Sequence, residues 1–172
     1  GTHKYTVEEV QGSEAGMTYD PMKAEVTITV TKEGHVLKAT NTLPADTEFN
    51  NTFTPSPVKV NLEFDKSLSN GTLNAGDFSF TLTGDNNVNE TVTNKANGKI
   101  NFSELSFDQV GVYNYTVKEV KGDKADVVDY DAMTIAVKVT VTKDADTGLL
   151  SATTAMTSSG GEATDANDRI FN

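Results

Sequence analysis

The chain has 172 residues, enough for one or two small domains that each bury a modest core. Its formal net charge of −11 repels nucleic acid and anionic lipid, which argues against DNA, RNA and membrane surfaces as partners. It contains no cysteine, so disulfide staples, thiolate metal sites and cysteine nucleophiles are excluded.

The opening GTHKYTVEEV lacks signal-peptide architecture, and no apolar run reaches membrane-spanning length. Alternating, β-branched segments then follow one another: YTVEEV (Tyr5 to Val10), AEVTITVTK (Ala24 to Lys32) and a short EFNN (Glu48 to Asn51). Thr54-Pro55-Ser56-Pro57 reads as a stiff linker whose prolines cannot donate to a sheet. Beyond it come VKVNLEF, DFSFTLTG, YNYTVKEV and IAVKVTVTK, all with the period of a half-buried strand. Asn97-Gly98 predicts a tight hairpin turn. Because no segment carries a helical pattern, the expected fold class is all-β.

The chain also repeats itself. YTVEEV returns as YTVKEV (Tyr115 to Val120), and in each copy a glycine-bearing turn leads to Tyr-Asp, at Tyr19-Asp20 and Tyr130-Asp131. A long alternating strand follows, and each copy closes on asparagine, in EFNN or in RIFN (Arg169 to Asn172). Residues 58–109 have no counterpart before the first copy. The predicted organisation is therefore a complete β-sandwich over 58–172 and the C-terminal half of another over 1–53, joined by 54–57. A partial sheet needs covering, so an upstream segment or another chain is expected to complete residues 1–53.

Strand alternation places Leu62, Phe64, Lys66 and Leu68 on one face, so a lysine points with the apolar residues. Burying an ammonium without a partner is costly. On the recurring strand Tyr113, Tyr115, Val117 and Glu119 share a face, as Tyr5, Val7 and Glu9 do in the first copy. Ile170 and Asn172 share parity on the closing strand, as do Phe49, Asn51 and Phe53. Lys66, Glu119 and Asn172 are therefore expected to face one core. Burial favours the neutral forms of an amine and a carboxylic acid. Such an amine could attack the asparagine carboxamide while the acid shuttles a proton to the departing ammonia. The product would be a Lys-Asn isopeptide bond, made once without turnover.

Five features, LEFDKSL, AGDFSFTL (Ala75 to Leu82), GVYNYTVKE (Gly111 to Glu119), the VDYD-to-IAVKVTV segment and the closing Asn172, together resemble the streptococcal pilin isopeptide-linkage domains. These are immunoglobulin-like sandwiches of the collagen-adhesin B type (CnaB) found in Gram-positive pilus shafts and surface adhesins. The resemblance implies that Lys66 is the nucleophile, Asn172 the acceptor and Glu119 the catalytic acid/base. It marks Glu9 and Asn51 as a partial site whose lysine partner lies outside this chain. From pattern alone, Lys66 would more often be a snorkelling strand-end lysine paired with a carboxylate; the three-way coincidence and the family resemblance together reverse that.

Asp144-Ala145-Asp146-Thr147-Gly148 lacks the later ligands of a calcium loop and reads as a solvated hairpin turn. Asp123, Asp126, Asp129 and Asp131 read as a charged loop. His3 and His35 stand apart from any metal-ligand spacing, and no hydrolase, zinc or phosphate-loop motif is present. No cofactor or metal is expected, and no turnover enzyme. The expected function is a structural stalk or shaft module of a cell-wall-anchored, extracellular Gram-positive surface protein, with neighbouring domains of the same protein as partners. The alternative is an adhesin domain whose loops recognise a host ligand.

Overall fold

The computed structural model describes residues 1–123 and 126–172. Every regular element among them is a β-strand. The chain divides into two compact units, Gly1–Pro55 and Ser56–Asn172.

The second unit is a two-layered, immunoglobulin-like sandwich. One layer is a five-stranded antiparallel sheet built from β8 (Ser79–Gly84), β9 (Asn89–Thr93), β12 (Gly111–Val120), β13 (Thr134–Lys143) and β14 (Leu150–Ser159), in the order β14-β13-β12-β8-β9. The other layer combines two small sheets. In the first, β7 (Glu63–Lys66) lies between β10 (Lys99–Asn101) and β15 (Ile170–Phe171); in the second, β6 (Val58–Val60) pairs with β11 (Leu105–Phe107). Alternation makes the core: Ile135, Val137, Val139 and Val141 of β13 are all buried, and they join Phe80 and Leu82 of β8 and Phe64, Ile100, Phe107 and Phe171 of the opposite layer. Aromatic pairs tie the layers together, with the Phe80 and Phe171 rings 5.2 Å apart and Phe107 and Tyr113 4.7 Å apart.

Three local expectations are corrected. Ile170 is 45% exposed while Phe171 is fully buried, so the closing strand has the opposite parity to the one its sequence suggested. The Asn97-Gly98 turn is tight as expected, with Lys95 N–H donating to Lys99 O at 2.8 Å and Gly98 N–H to Lys95 O at 2.9 Å, but its arms part, β9 running in the large sheet and β10 in the other layer. Its Gly98 has φ +83° and accepts the Lys66 main-chain N–H at 2.8 Å. Asp131, expected in a charged loop, is a buried residue. By contrast, Asp144 begins a hairpin turn between β13 and β14, its carboxylate accepting the N–H groups of Asp146 and Thr147.

The first unit contains β1 (Thr2–Glu8), β2 (Met17–Thr18), β3 (Lys23–Glu33), β4 (Val36–Thr42) and β5 (Thr52–Phe53). β1, β3 and β4 form an antiparallel sheet in the order β1-β3-β4, and β2 pairs with β5. The β1-β3-β4 arrangement parallels β12-β13-β14 of the second unit. In that unit β12 also pairs with β8, whereas β1 has no strand on its outer edge among the described residues. The stripe of Tyr5 and Val7, expected to face a core, is instead half exposed, at 54% and 48%.

Candidate functional site

β7 alternates Phe64 and Lys66 into the core while Asp65 turns outward to Lys99, with which it pairs at 3.0 Å. The main chain of β7 is held on both sides. Lys66 N–H donates to Gly98 O, while Asp65 and Ser67 donate to Arg169 O and Phe171 O of the parallel closing strand. Fixed this way, the Lys66 side chain has no solvent exposure, and neither has that of Glu119.

Glu119 lies near the end of β12, where Tyr115 and Val117 precede it on the buried face. The Lys66 ammonium lies 3.1 Å from Glu119 Oε1 and donates to Oε2 at 3.3 Å. Oε2 also accepts the Asp131 main-chain N–H at 2.8 Å. Oε1, although close to the ammonium, has no hydrogen-bond partner among the described residues. Phe78 closes the site below, its ring centroid 4.3 Å from Nζ. Burial in this apolar surround pushes the Glu119 carboxyl above its ordinary range, outweighing the opposing pull of the Lys66 charge and the Asp131 N–H.

The third expected member, Asn172, meets Lys66 through its main chain. Nζ donates to Asn172 O at 2.8 Å, while the Asn172 carboxamide donates to Ile170 O at 3.5 Å. The structure thus brings Lys66, Glu119 and the Asn172 backbone together, with the carboxamide itself directed elsewhere. Asn172 N–H is bound by Asp131 Oδ2 at 3.0 Å. An open polar cleft of about 310 Å³, lined in part by Leu68, Asp129 and Glu162, reaches Asn172 from solvent.

Glu9 and Asn51 of the first unit also meet. Asn51 Nδ2 donates to Glu9 Oε1 at 2.6 Å, and Asn51 Oδ1 accepts the Asp20 N–H at 2.9 Å. Glu9 Oε2 is buried without a hydrogen-bond partner among the described residues. The Asp20 carboxylate accepts the N–H groups of Asn50 and Met22, at 2.8 and 2.9 Å, and these hold its carboxyl below the usual range. Sequence reasoning assigned no role to Asp20 or Asp131. Their signal was the recurring Tyr-Asp pair that precedes each long strand.

Among the described residues no group of three or more His, Asp or Glu is arranged to hold a metal ion. No helix there is long and apolar enough to cross a membrane. No curated protein matches the chain. A family model, FctA, described as a Spy0128-like isopeptide containing domain, matches residues 1–54 and 62–172. With a lysine, a glutamate and an asparagine-bearing strand converging in an all-β sandwich, and nearly all of its length matched by that model, this chain belongs to the FctA family of isopeptide-containing, pilin-type structural domains.

Proposed function

We propose that the second unit is a load-bearing module of a Gram-positive surface stalk or pilus shaft, stabilised by an isopeptide bond between Lys66 and Asn172 that Glu119 catalyses. The observation that carries this reading is the Lys66 ammonium, fully buried, with Glu119 on one side and the Asn172 main chain on the other. A buried charge pair of this kind is poor evidence of a purely stabilising role, because desolvation offsets most of its attraction.

The reaction begins with proton transfer from Nζ to the Glu119 carboxylate, which leaves a neutral amine and a carboxylic acid. The raised pKa of Glu119 favours that transfer. The amine attacks the asparagine Cγ, a bond forms between Nζ and Cγ, and the bond from Cγ to Nδ2 breaks. Glu119 delivers its proton to Nδ2 and takes one from Nζ, so that ammonia leaves and the carboxyl ends protonated, holding the proton that the ammonium gave up at the start. The polar cleft beside Asn172 gives ammonia a route to solvent. Folding supplies proximity, and well-oriented intramolecular groups reach effective molarities of about 10⁵ M or more.

The carboxamide and the main-chain carbonyl of Asn172 branch from one Cα. In this reading the carboxamide turns from Ile170 O towards Nζ while the N–H stays on Asp131. A second reading rests on the first unit. There the residue held by the equivalent aspartate is Asn50, and it is the next residue, Asn51, whose carboxamide meets the glutamate. By that equivalence, the acceptor in a longer chain would be the residue after Asn172.

Intact-protein mass spectrometry with peptide mapping tests both. The first reading expects the 172-residue chain to lose one ammonia and to yield a peptide linked through Lys66 and Asn172. Lys66→Ala and Glu119→Ala are expected to keep the full mass. A chain that keeps its mass but loses ammonia once extended by a single asparagine would move the acceptor one residue on. Full mass in both would overturn the cross-link.

A further inference from the structure

Asp131 lies in the connection from β12 to β13, outside the lysine, glutamate and asparagine to which the reaction is assigned. It is a buried residue and spends every hydrogen-bonding group of its carboxylate and amide on a different part of the site. Its N–H donates to Glu119 Oε2 at 2.8 Å. Its Oδ2 accepts the N–H of Asn172 at 3.0 Å, and its Oδ1 accepts those of Met133 at 2.8 Å and Glu162 at 3.0 Å. One residue therefore ties the catalytic carboxylate, the start of β13, the segment after β14 and the acceptor strand to a common point.

The first unit repeats the device. Asp20 follows a tyrosine as Asp131 does, its Oδ1 accepts the N–H two residues on, at Met22, and its Oδ2 accepts an asparagine N–H of the closing segment. There its own N–H reaches the carbonyl oxygen of the Asn51 carboxamide, where it would stabilise charge developing on that oxygen during attack. In both units the carboxylate is used alike, on the N–H two residues on and on an asparagine N–H of the closing segment, while the main-chain N–H meets the glutamate in the second unit and the asparagine carboxamide in the first.

We propose that Asp131 is a positioning residue for the isopeptide reaction: its carboxylate holds the acceptor strand in register against Lys66 while its main-chain N–H orients Glu119, and the Asp20 carboxylate is the counterpart of the first of these roles in the first unit. The proposal rests on the cross-link reading above. A second carboxylate close to Glu119 carries an electrostatic consequence. Glu119 is raised chiefly by burial; the Lys66 charge and the Asp131 main-chain N–H oppose the rise, and the Asp131 charge adds a smaller push in its favour. The Asp131 carboxylate thus offsets part of the lowering that its own N–H exerts on Glu119.

The test follows ammonia loss over time in chains made by cell-free synthesis, for wild type, Asp131→Asn and Asp131→Ser, each also extended by one asparagine. Rates are taken per folded molecule across a pH series. Misplacing reacting groups by about 1 Å can cost on the order of 10²-fold in rate, and a loss of that order is expected in both variants. The limb of the rate profile governed by Glu119 is also expected to move to lower pH, because a negative neighbour has been removed. A rate that falls with an unmoved profile would assign Asp131 to the fold alone and overturn the proposal, as would failure of both variants to fold or a rate equal to wild type. If neither wild-type chain loses ammonia, the cross-link reading fails first and takes this proposal with it.

Discussion

Lys66 and Glu119 share one buried space, so the protonation of each depends on the other. Because the Lys66 charge pulls the Glu119 carboxyl downward against burial, removing that charge should let it rise further. In Lys66→Met, Glu119 is expected to titrate at higher pH than in an uncross-linked chain that keeps Lys66, as followed by carboxyl carbon NMR; an unchanged or lower midpoint would mean that the ammonium is not the partner. The same shift makes stability depend on pH. A carboxyl whose folded pKa lies above its unfolded value holds its proton more tightly when folded. Its contribution is complete below the unfolded pKa and is lost as pH rises through the folded one. Urea midpoints of an uncross-linked chain should therefore fall as pH climbs above the ordinary carboxylate range, and Glu119→Gln should flatten that fall. The meeting of Lys66 and Glu119 was legible in the alternation of two well-formed strands. Asp131 was not, because an aspartate among Asp123, Asp126 and Asp129 looks like one more solvated charge until its three N–H partners are seen.

Strand β7 depends on two neighbours of different origin, β10 from the preceding turn and β15 from the far end of the unit. Gly98 lets β10 approach. A Cβ there would come within 2.5 Å of Lys66 O, and its φ of +83° is one that side-chain-bearing residues rarely adopt. Gly98→Ala is expected to cost about 1 to 3 kcal/mol, seen as a lowered urea midpoint in an uncross-linked background; an unmoved midpoint would mean that the turn re-forms without touching β7. On the other side, Phe171 fills the space between the layers against Phe80. The long strands β12 and β13 could be read from sequence because ten residues each display the period of two. β15 could not, since two residues of strand offer no period to read, and the parity of Ile170 and Phe171 is set by packing against Phe80. The turn at Asn97-Gly98 was legible as a turn, but the sheet its second arm would join depends on where β7 lies, a tertiary fact.

The two units differ in how far each covers its own sheet. In the first, Tyr5 and Val7 stay half exposed and the outer edge of β1 carries no strand, whereas in the second β8 occupies the equivalent edge of β12. Amide exchange along β1 is therefore expected to be much faster than along β12 in the isolated chain, and to slow when a polypeptide that pairs with the open edge of β1 is added. Equal protection of both strands in the isolated chain would argue that the first unit needs no such partner.

The proposed cross-link would give the second unit its mechanical character. Lys66 and Asn172 are separated by 106 positions, and the chain-entropy estimate for closing a loop of about a hundred residues is roughly 4.7 kcal/mol, against about 5 to 15 for a typical whole domain. β7 and β15 run parallel. Tension entering ahead of Lys66 and leaving after Asn172 therefore loads them directly against each other. Without a covalent bond that load falls on a few main-chain hydrogen bonds, from Asp65 to Arg169 and from Ser67 to Phe171. With it, force passes from Lys66 into the closing strand, and the five-stranded sheet between them carries almost none. Once cross-linked, the second unit is expected to give no unfolding extension when pulled from its two ends. Lys66→Ala is expected to release the intervening 106 positions as roughly 350 to 380 Å of extended chain, less the short end-to-end distance of the folded unit. Equal extension in the two proteins under single-molecule force spectroscopy would mean that the bond does not lie in the path of the load.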